Sequence, residues 1–178
     1  MTTADGMDRL GFTLRQHTIP RMGEELFVPA DFDVPQGLVA DAFILEPLGP
    51  QHNDGDYAAW TTSIDHIRAT PGFAEGTWPH EMPLDENRRD LERHAQDFAA
   101  RTGFTYTVLD PADRTVIGCV YIYPARARDG SVSEADVDAS VQSWVRAESA
   151  HLDVPLWRAV TAWLATDWPF TRVAYAAR

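Results

Sequence analysis

One cysteine, Cys119, occurs in 178 residues, which excludes a disulfide framework. It sits in the apolar run Val116 to Tyr123 and reads as a small buried side chain in a reducing compartment. Long hydrophobic runs are also missing. No window reaches membrane-spanning length, and the opening Met1-Thr2-Thr3-Ala4-Asp5 has no basic patch followed by an apolar stretch. A cytoplasmic protein without a membrane partner is expected. Basic residues are few, 15 against 27 acids, for a net charge of -12. Such a chain repels a phosphate backbone at long range, and its arginines form no stripe along the sequence, so nucleic acid is not expected as a partner.

Several motifs are absent too. There is no Walker loop, dinucleotide fingerprint or Ser-His-Asp elbow, which leaves nucleotide and hydrolase readings without support. The six histidines are dispersed, and His80-Glu81-Met82-Pro83-Leu84 fails the His-Glu-x-x-His pattern, so no metal site is expected.

What is present is a core. Apolar residues make up 44% of the chain, with 6 Trp, 8 Phe and 5 Tyr. A single domain of this length buries about 70% of the surface its unfolded chain exposes. Residues 1–40 carry Pro20, Pro29 and Pro35 among scattered apolar residues without sustained periodicity. They read as an extended N-terminal arm, either partly disordered or wrapped on its own sheet or a neighbouring subunit, and residues 41–178 form the domain proper.

Within that domain Phe43 to Glu46 predicts a strand, closed by Pro47, Gly49 and Pro50. Tyr57, Trp60 and Ile64 predict a helix over about 54–64, and the Pro- and Gly-rich stretch 65–83 reads as loop. Leu84, Leu91, Ala95 and Phe98 predict a helix over about 84–101, stopped by Gly103. Thr105–Leu109 and Thr115–Tyr123 predict a hairpin around Asp110-Pro111. Residues 136–146 alternate, with Val137, Ala139, Val141, Ser143 and Val145 on one face. A helix follows from about Val154, capped by Asp153, with Leu156, Val160, Trp163 and Leu164 as its apolar stripe. Pro169 ends it, and Phe170–Ala176 returns as a last strand. This long crossover makes its two strands parallel. The expected fold is α/β (α+β): one mixed, mostly antiparallel sheet flanked by helices.

This order, from Phe43 to the end, resembles the GNAT superfamily of acyl-CoA N-acyltransferases. The run Leu109 to Ile122, with its Ile117-Gly118 pair, looks like the hairpin into the family's third strand. Ser143-Trp144-Val145-Arg146-Ala147-Glu148 is similar to the end of its fourth strand and the opening of its cofactor loop. The resemblance implies a cleft where the parallel fourth and fifth strands splay, with acetyl-CoA or coenzyme A held at Trp144, Val145 and Arg146. In the family the loop reads Q/R-x-x-G-x-G/A, whereas here Ala150 to Pro155 supplies neither the basic residue nor the glycines. Asp153 faces the place of the diphosphate, so the sequence predicts weak cofactor binding. The chain is a divergent member in this resemblance, and its last residue Arg178 follows the fifth strand directly, leaving the family's fourth helix and last two strands without counterpart. The fifth strand is then a sheet edge, to be covered by the arm or by a second copy in a homodimer.

Asp136 and Asp138 stand where relatives often place a carboxylate that deprotonates the amine, and Asp138, deeper in the strand, is the candidate catalytic residue. Arg146 can meet a phosphate or pair with Glu148. Trp78, Tyr121 and Tyr123, with Trp144, either line a substrate pocket or pack in the core. Two functions follow: an acyl-CoA-dependent N-acyltransferase acting on a small-molecule or peptide amine, or a fold relative that has lost coenzyme A and serves as a binding or structural module.

Overall fold

The structure is a computed structural model that describes residues 26–74, 76–125 and 137–178. Asp136 lies outside the described residues. Six strands form one sheet in sequential order: β1 (Leu38–Val39), β2 (Ile44–Pro47), β3 (Phe104–Leu109), β4 (Val116–Tyr123), β5 (Ala139–Val145) and β6 (Val173–Tyr175). All neighbours are antiparallel except β5 and β6, which are parallel as the long crossover requires. Every residue of β3 is buried, the mark of a central strand covered on both faces.

One face is covered by α4 (Asp153–Asp167), whose stripe Leu156, Val160, Trp163 and Leu164 packs on Val120, Ile122, Val141 and Val145. The other is covered by α1 (Asn53–Thr61), α2 (Ile64–Ala69) and α3 (Leu84–Ala100), which bury Trp60, Ile67 and Leu91 against Cys119 and Trp144. Trp60 and Trp144 have no exposed surface, and burying each is worth roughly 5 kcal/mol in transfer free energy. Cys119 is fully buried, its thiol directed at the Tyr106 carbonyl. Among the described residues no helix is long and apolar enough to cross a membrane.

Several boundaries differ from the sequence reading. The stretch expected to be loop after residue 64 contains α2, because Ile67 reaches the core and Ser63, buried, accepts the backbone N–H of Ile67 and through its hydroxyl that of Ala147. β5 starts at Ala139 and β6 spans three residues. Leu84 is exposed and adds nothing to the face of α3. Asp153 does not cap α4, whose cap is Leu152; it pairs instead with Arg178.

The described part of the arm lies on the sheet. Val28 and Val34 are buried in the α4-side core, β1 pairs with β2, and the Tyr106 hydroxyl donates to the Pro35 carbonyl. This is the edge opposite β6. Arg101 holds the arm's turn by donating from Nη2 to the carbonyls of Pro29 and Phe32, at 2.7 and 2.8 Å. It does so from the left-handed region, φ 62°, at the end of α3, where glycine is favoured. Its tether therefore offsets a backbone cost of about 1 kcal/mol. Arg101→Ala, which keeps the strain and loses the tether, should lose about 2 kcal/mol in urea denaturation, and Arg101→Gly about 1 kcal/mol less. Equal losses would remove the strain from this account.

Candidate active site

A cavity of about 300 Å³ opens between the sheet and the α1–α3 layer. Its floor is Tyr121 on β4 and Gln142 on β5, its wall Asn87, Asp90, Leu91 and His94 on α3, and its roof the loop through Phe73 and Trp78. Trp78 is the keystone of that roof, its ring centroid 5.9 Å from Trp144, 6.3 Å from Tyr121 and 5.7 Å from Phe73. Arg68 fixes the loop by donating twice to the Pro79 carbonyl.

Two polar groups bring chemistry to this space. On α1, Asp56 is 5% exposed and accepts one hydrogen bond, from Asn87 Nδ2 to Oδ2 at 3.1 Å. Burial foremost pushes its pKa up to about 6, with the charge of Asp90 adding to the rise and the Asn87 bond opposing it. On α3, His94 joins a chain of hydrogen bonds. Tyr123 donates its hydroxyl proton to Asp97 Oδ2 at 2.9 Å, so the Tyr123 oxygen accepts from His94 Nδ1 at 2.8 Å. Thr105 Oγ1 lies 3.1 Å from the same nitrogen. A carboxylate only accepts, so the network assigns the proton to Nδ1 and leaves Nε2 with a lone pair and no partner among the described residues. Burial holds the His94 pKa below its usual value against the pull of Asp97 and Asp90, and the ring is neutral at pH 7. Gly103 is needed beside it, since a Cβ there would lie 2.1 Å from the Tyr123 ring.

The cavity ends at Gln142, whose amide donates to the Gly72 carbonyl; Gly72 also approaches Ala176 beyond β6. One residue further along β5 the sheet splays. β6 pairs with β5 only as far as Val141, opposite Tyr175, so the Ser143 carbonyl has no strand partner on that side. Arg178 fills the gap. Its side chain is 2% exposed, and Nη2 donates to the Ser143 carbonyl at 2.8 Å and Nη1 to the Pro71 carbonyl at 3.1 Å, while Nε is 2.7 Å from Asp153 Oδ2. Asp153, expected to confront an anion alone, is thus charge-compensated.

The sequence-selected residues divide. Trp78 and Tyr121 line the cavity, and Trp144 lies beneath them, donating its indole N–H to the Tyr121 hydroxyl. Tyr123 stands behind the lining as the partner of His94. Val145 is in the core on the α4 side, and Arg146 pairs with Glu148 at 2.9 Å, its Nε buried without a hydrogen-bond partner. Asp138 is elsewhere. At the start of β5, remote from the splay, it accepts from the Thr171 hydroxyl, the backbone N–H groups of Thr171 and Arg172, and the Arg172 guanidinium. Those bonds, the Thr171 hydroxyl first, hold its carboxyl below the usual range and make it a poor base, so its role is to lock the turn into β6.

Sequence reasoning missed Asp56, Asn87, His94 and Gln142. Two of these carried a signal. Asn87 and His94 lie at helical spacing on the apolar stripe of α3 that Leu91 and Phe98 mark, where a polar residue needs a reason.

Asp56→Asn keeps the hydrogen bond from Asn87 and discards a charge the fold disfavours. Because the folded pKa is raised above the unfolded value of 3.8, ionisation costs stability increasingly from about pH 4 to pH 6. The variant should therefore gain up to about 3 kcal/mol at pH 8 and almost nothing near pH 4, read by urea denaturation at both pH values. A loss at pH 8 would refute the burial account.

No family model matches the sequence, and no curated protein matches it. Solved structures do. The chain aligns with RimL, a ribosomal L7/L12 alpha-N-protein acetyltransferase in complex with coenzyme A, at 11% identity and TM-score 0.54, over 72% of this chain and 64% of that one. It aligns with the ribosomal-protein-S5-alanine acetyltransferase of Vibrio fischeri at 12% identity and TM-score 0.52, over 74% and 67%. It aligns with the microcin C7 self-immunity acetyltransferase MccE, in complex with acetyl-CoA and AMP, at 13% identity and TM-score 0.51, over 74% and 66%. The chain spans about two thirds of the length of each. With its sequential mixed sheet, parallel last pair and splay beside α4, this protein has the GNAT-like acetyltransferase fold.

Proposed function

We propose that this protein is an acyl-CoA-dependent N-acyltransferase, with the amine in the cavity over Tyr121 and the acyl donor in the splay between β5 and β6. The observation that carries this reading is His94: a buried, neutral imidazole with its tautomer fixed, lining a cavity that ends one residue short of the splay. Such a group suits removal of a proton from an ammonium near neutral pH.

The splay fits an amide-bearing arm, because the Ser143 carbonyl already accepts an N–H donor there, the Arg178 guanidinium standing in for an amide. The unsatisfied Nε of Arg146 at the end of β5 suits an anion. Ser143, Trp144, Val145 and Arg146 are the residues that would hold acyl-CoA, which when bound would supply a thioester for the amine to attack, the C–S bond breaking as the C–N bond forms and coenzyme A leaving as the thiol. His94 Nε2 takes the proton from the attacking nitrogen, Tyr123 and Asp97 steady the resulting imidazolium, and Trp78 shields the cavity from water.

A second reading is favoured by Arg178 and by the glycine-free turn 147–152: a protein that holds an amine without an acyl donor. Titration calorimetry with coenzyme A separates the two. The transferase binds it, and Arg178→Ala binds more tightly; silence from both proteins at millimolar ligand ends the transferase reading. Where transfer occurs, followed by thiol release from acetyl-CoA, His94→Gln should lower kcat about 10²–10⁴-fold, and Tyr123→Phe less. The rate should rise with pH through a value below 6.5 and level off, because His94 acts in its neutral form.

A further inference from the structure

The walls of the cavity are acidic as well as aromatic. Asp56 and Asp90 both line it, His94 is neutral, and no arginine is among the lining residues. Asp90 has its own cation, Arg93, on the next turn of the same helix. Asp56 has none. Its Oδ2 takes one N–H from Asn87, Oδ1 accepts no hydrogen bond from the described residues, and Asp56 lines the cavity.

The orientation of Asn87 makes this arrangement fixed. Its Oδ1 accepts the Trp60 indole N–H at 2.9 Å, so its Nδ2 must face Asn53 and Asp56, at 3.0 and 3.1 Å. All three partners are buried. The carboxylate is thus held rigidly with one oxygen satisfied and the other without a hydrogen bond from the described residues. A buried carboxylate with a single neutral donor is poorly compensated, and a cation beside it restores what water would have supplied. Trp78 and Tyr121 add ring faces for a positive group.

The two ends of the cavity are set apart by α3. Asn87, on which Asp56 rests, and His94 are seven residues apart, a rise of about 10 Å. Allowing about 3 Å at one or both ends for hydrogen bonds leaves about 4–7 Å, a ligand whose two nitrogens are joined by roughly three to five carbons. Leu48, Phe73 and Leu91 line the space between with apolar surface.

We propose that Asp56 is an ammonium subsite and that the ligand of this cavity is a short α,ω-diamine, one ammonium resting on Asp56 Oδ1 while the other nitrogen meets His94. This rests on the reading of the cavity as the amine site. It adds a second charge that takes no part in transfer.

The test needs no acyl donor. Calorimetry on the whole protein at pH 8 should show 1,5-diaminopentane binding about tenfold to a hundredfold more tightly than 1-aminopentane, as expected for a charge-assisted hydrogen bond. Asp56→Asn should remove that preference and leave the monoamine affinity within about twofold, while Asp90→Asn, whose carboxylate is already paired, should keep it. Equal affinity for the two amines on the unaltered protein, or no binding of either at millimolar concentration, overturns the proposal without any variant. A preference that survives Asp56→Asn overturns it as well. Diamine selectivity without thiol release would sink the transferase and leave the subsite; acetylation of monoamines as readily as diamines would do the reverse.

Discussion

The side chain of Asn87 is the constraint on which the helical layer depends. One amide, 4% exposed, accepts from Trp60 and donates to Asn53 and Asp56, tying α1 to α3 through the largest side chain of their shared core. Each of these groups, left unmade in the interior, would cost about 1–3 kcal/mol, so the amide selects one packing of the two helices among those their apolar faces allow. That packing sets the cavity: where its floor meets α3, which acid it exposes, and how far that acid lies from His94.

Much of the frame was legible from the sequence because it rests on local periodicity. The meander, the parallel crossover and the stripe of α4 follow from alternation and from the length of the connection between Val145 and Val173. The buried Cys119 follows from its apolar neighbours. The Arg146 to Glu148 pair, one of two alternatives, is the one the geometry adopts. What could not be read depends on distance in space. Asp138 has the strand position of a base, yet the turn at Thr171 and Arg172 comes back to it across 33 residues and gives its carboxylate four hydrogen bonds. The α3 reading counted apolar residues and passed over Asn87 and His94 in the same stripe, though polar side chains there are the ones that need partners. β1 escaped notice because two residues carry no period.

The two sheet ends differ in how they are finished. At the β1 edge the arm is held by Arg101 and Tyr106, and the cost of a left-handed arginine is met by two carbonyls that need donors. At the other end Asp138 pins the entry to β6, while three residues later the pairing stops and the strands part. The splay is therefore produced by a short β6 whose backbone pairing ends at Tyr175, with side chains alone bridging to Ser143 beyond it, and its position next to Gln142 joins it to the cavity.

Arg178 makes that splay a site with an occupant of its own. Because the guanidinium is covalently attached, its hold on the Ser143 carbonyl is an intramolecular event, governed by an effective concentration that for short tethers is of millimolar order. Any visitor to the β5 edge competes against that constant local excess. The apparent affinity of the groove is then a ratio of two equilibria, and a weak titration would report how firmly the tether is docked as much as how well the groove is shaped.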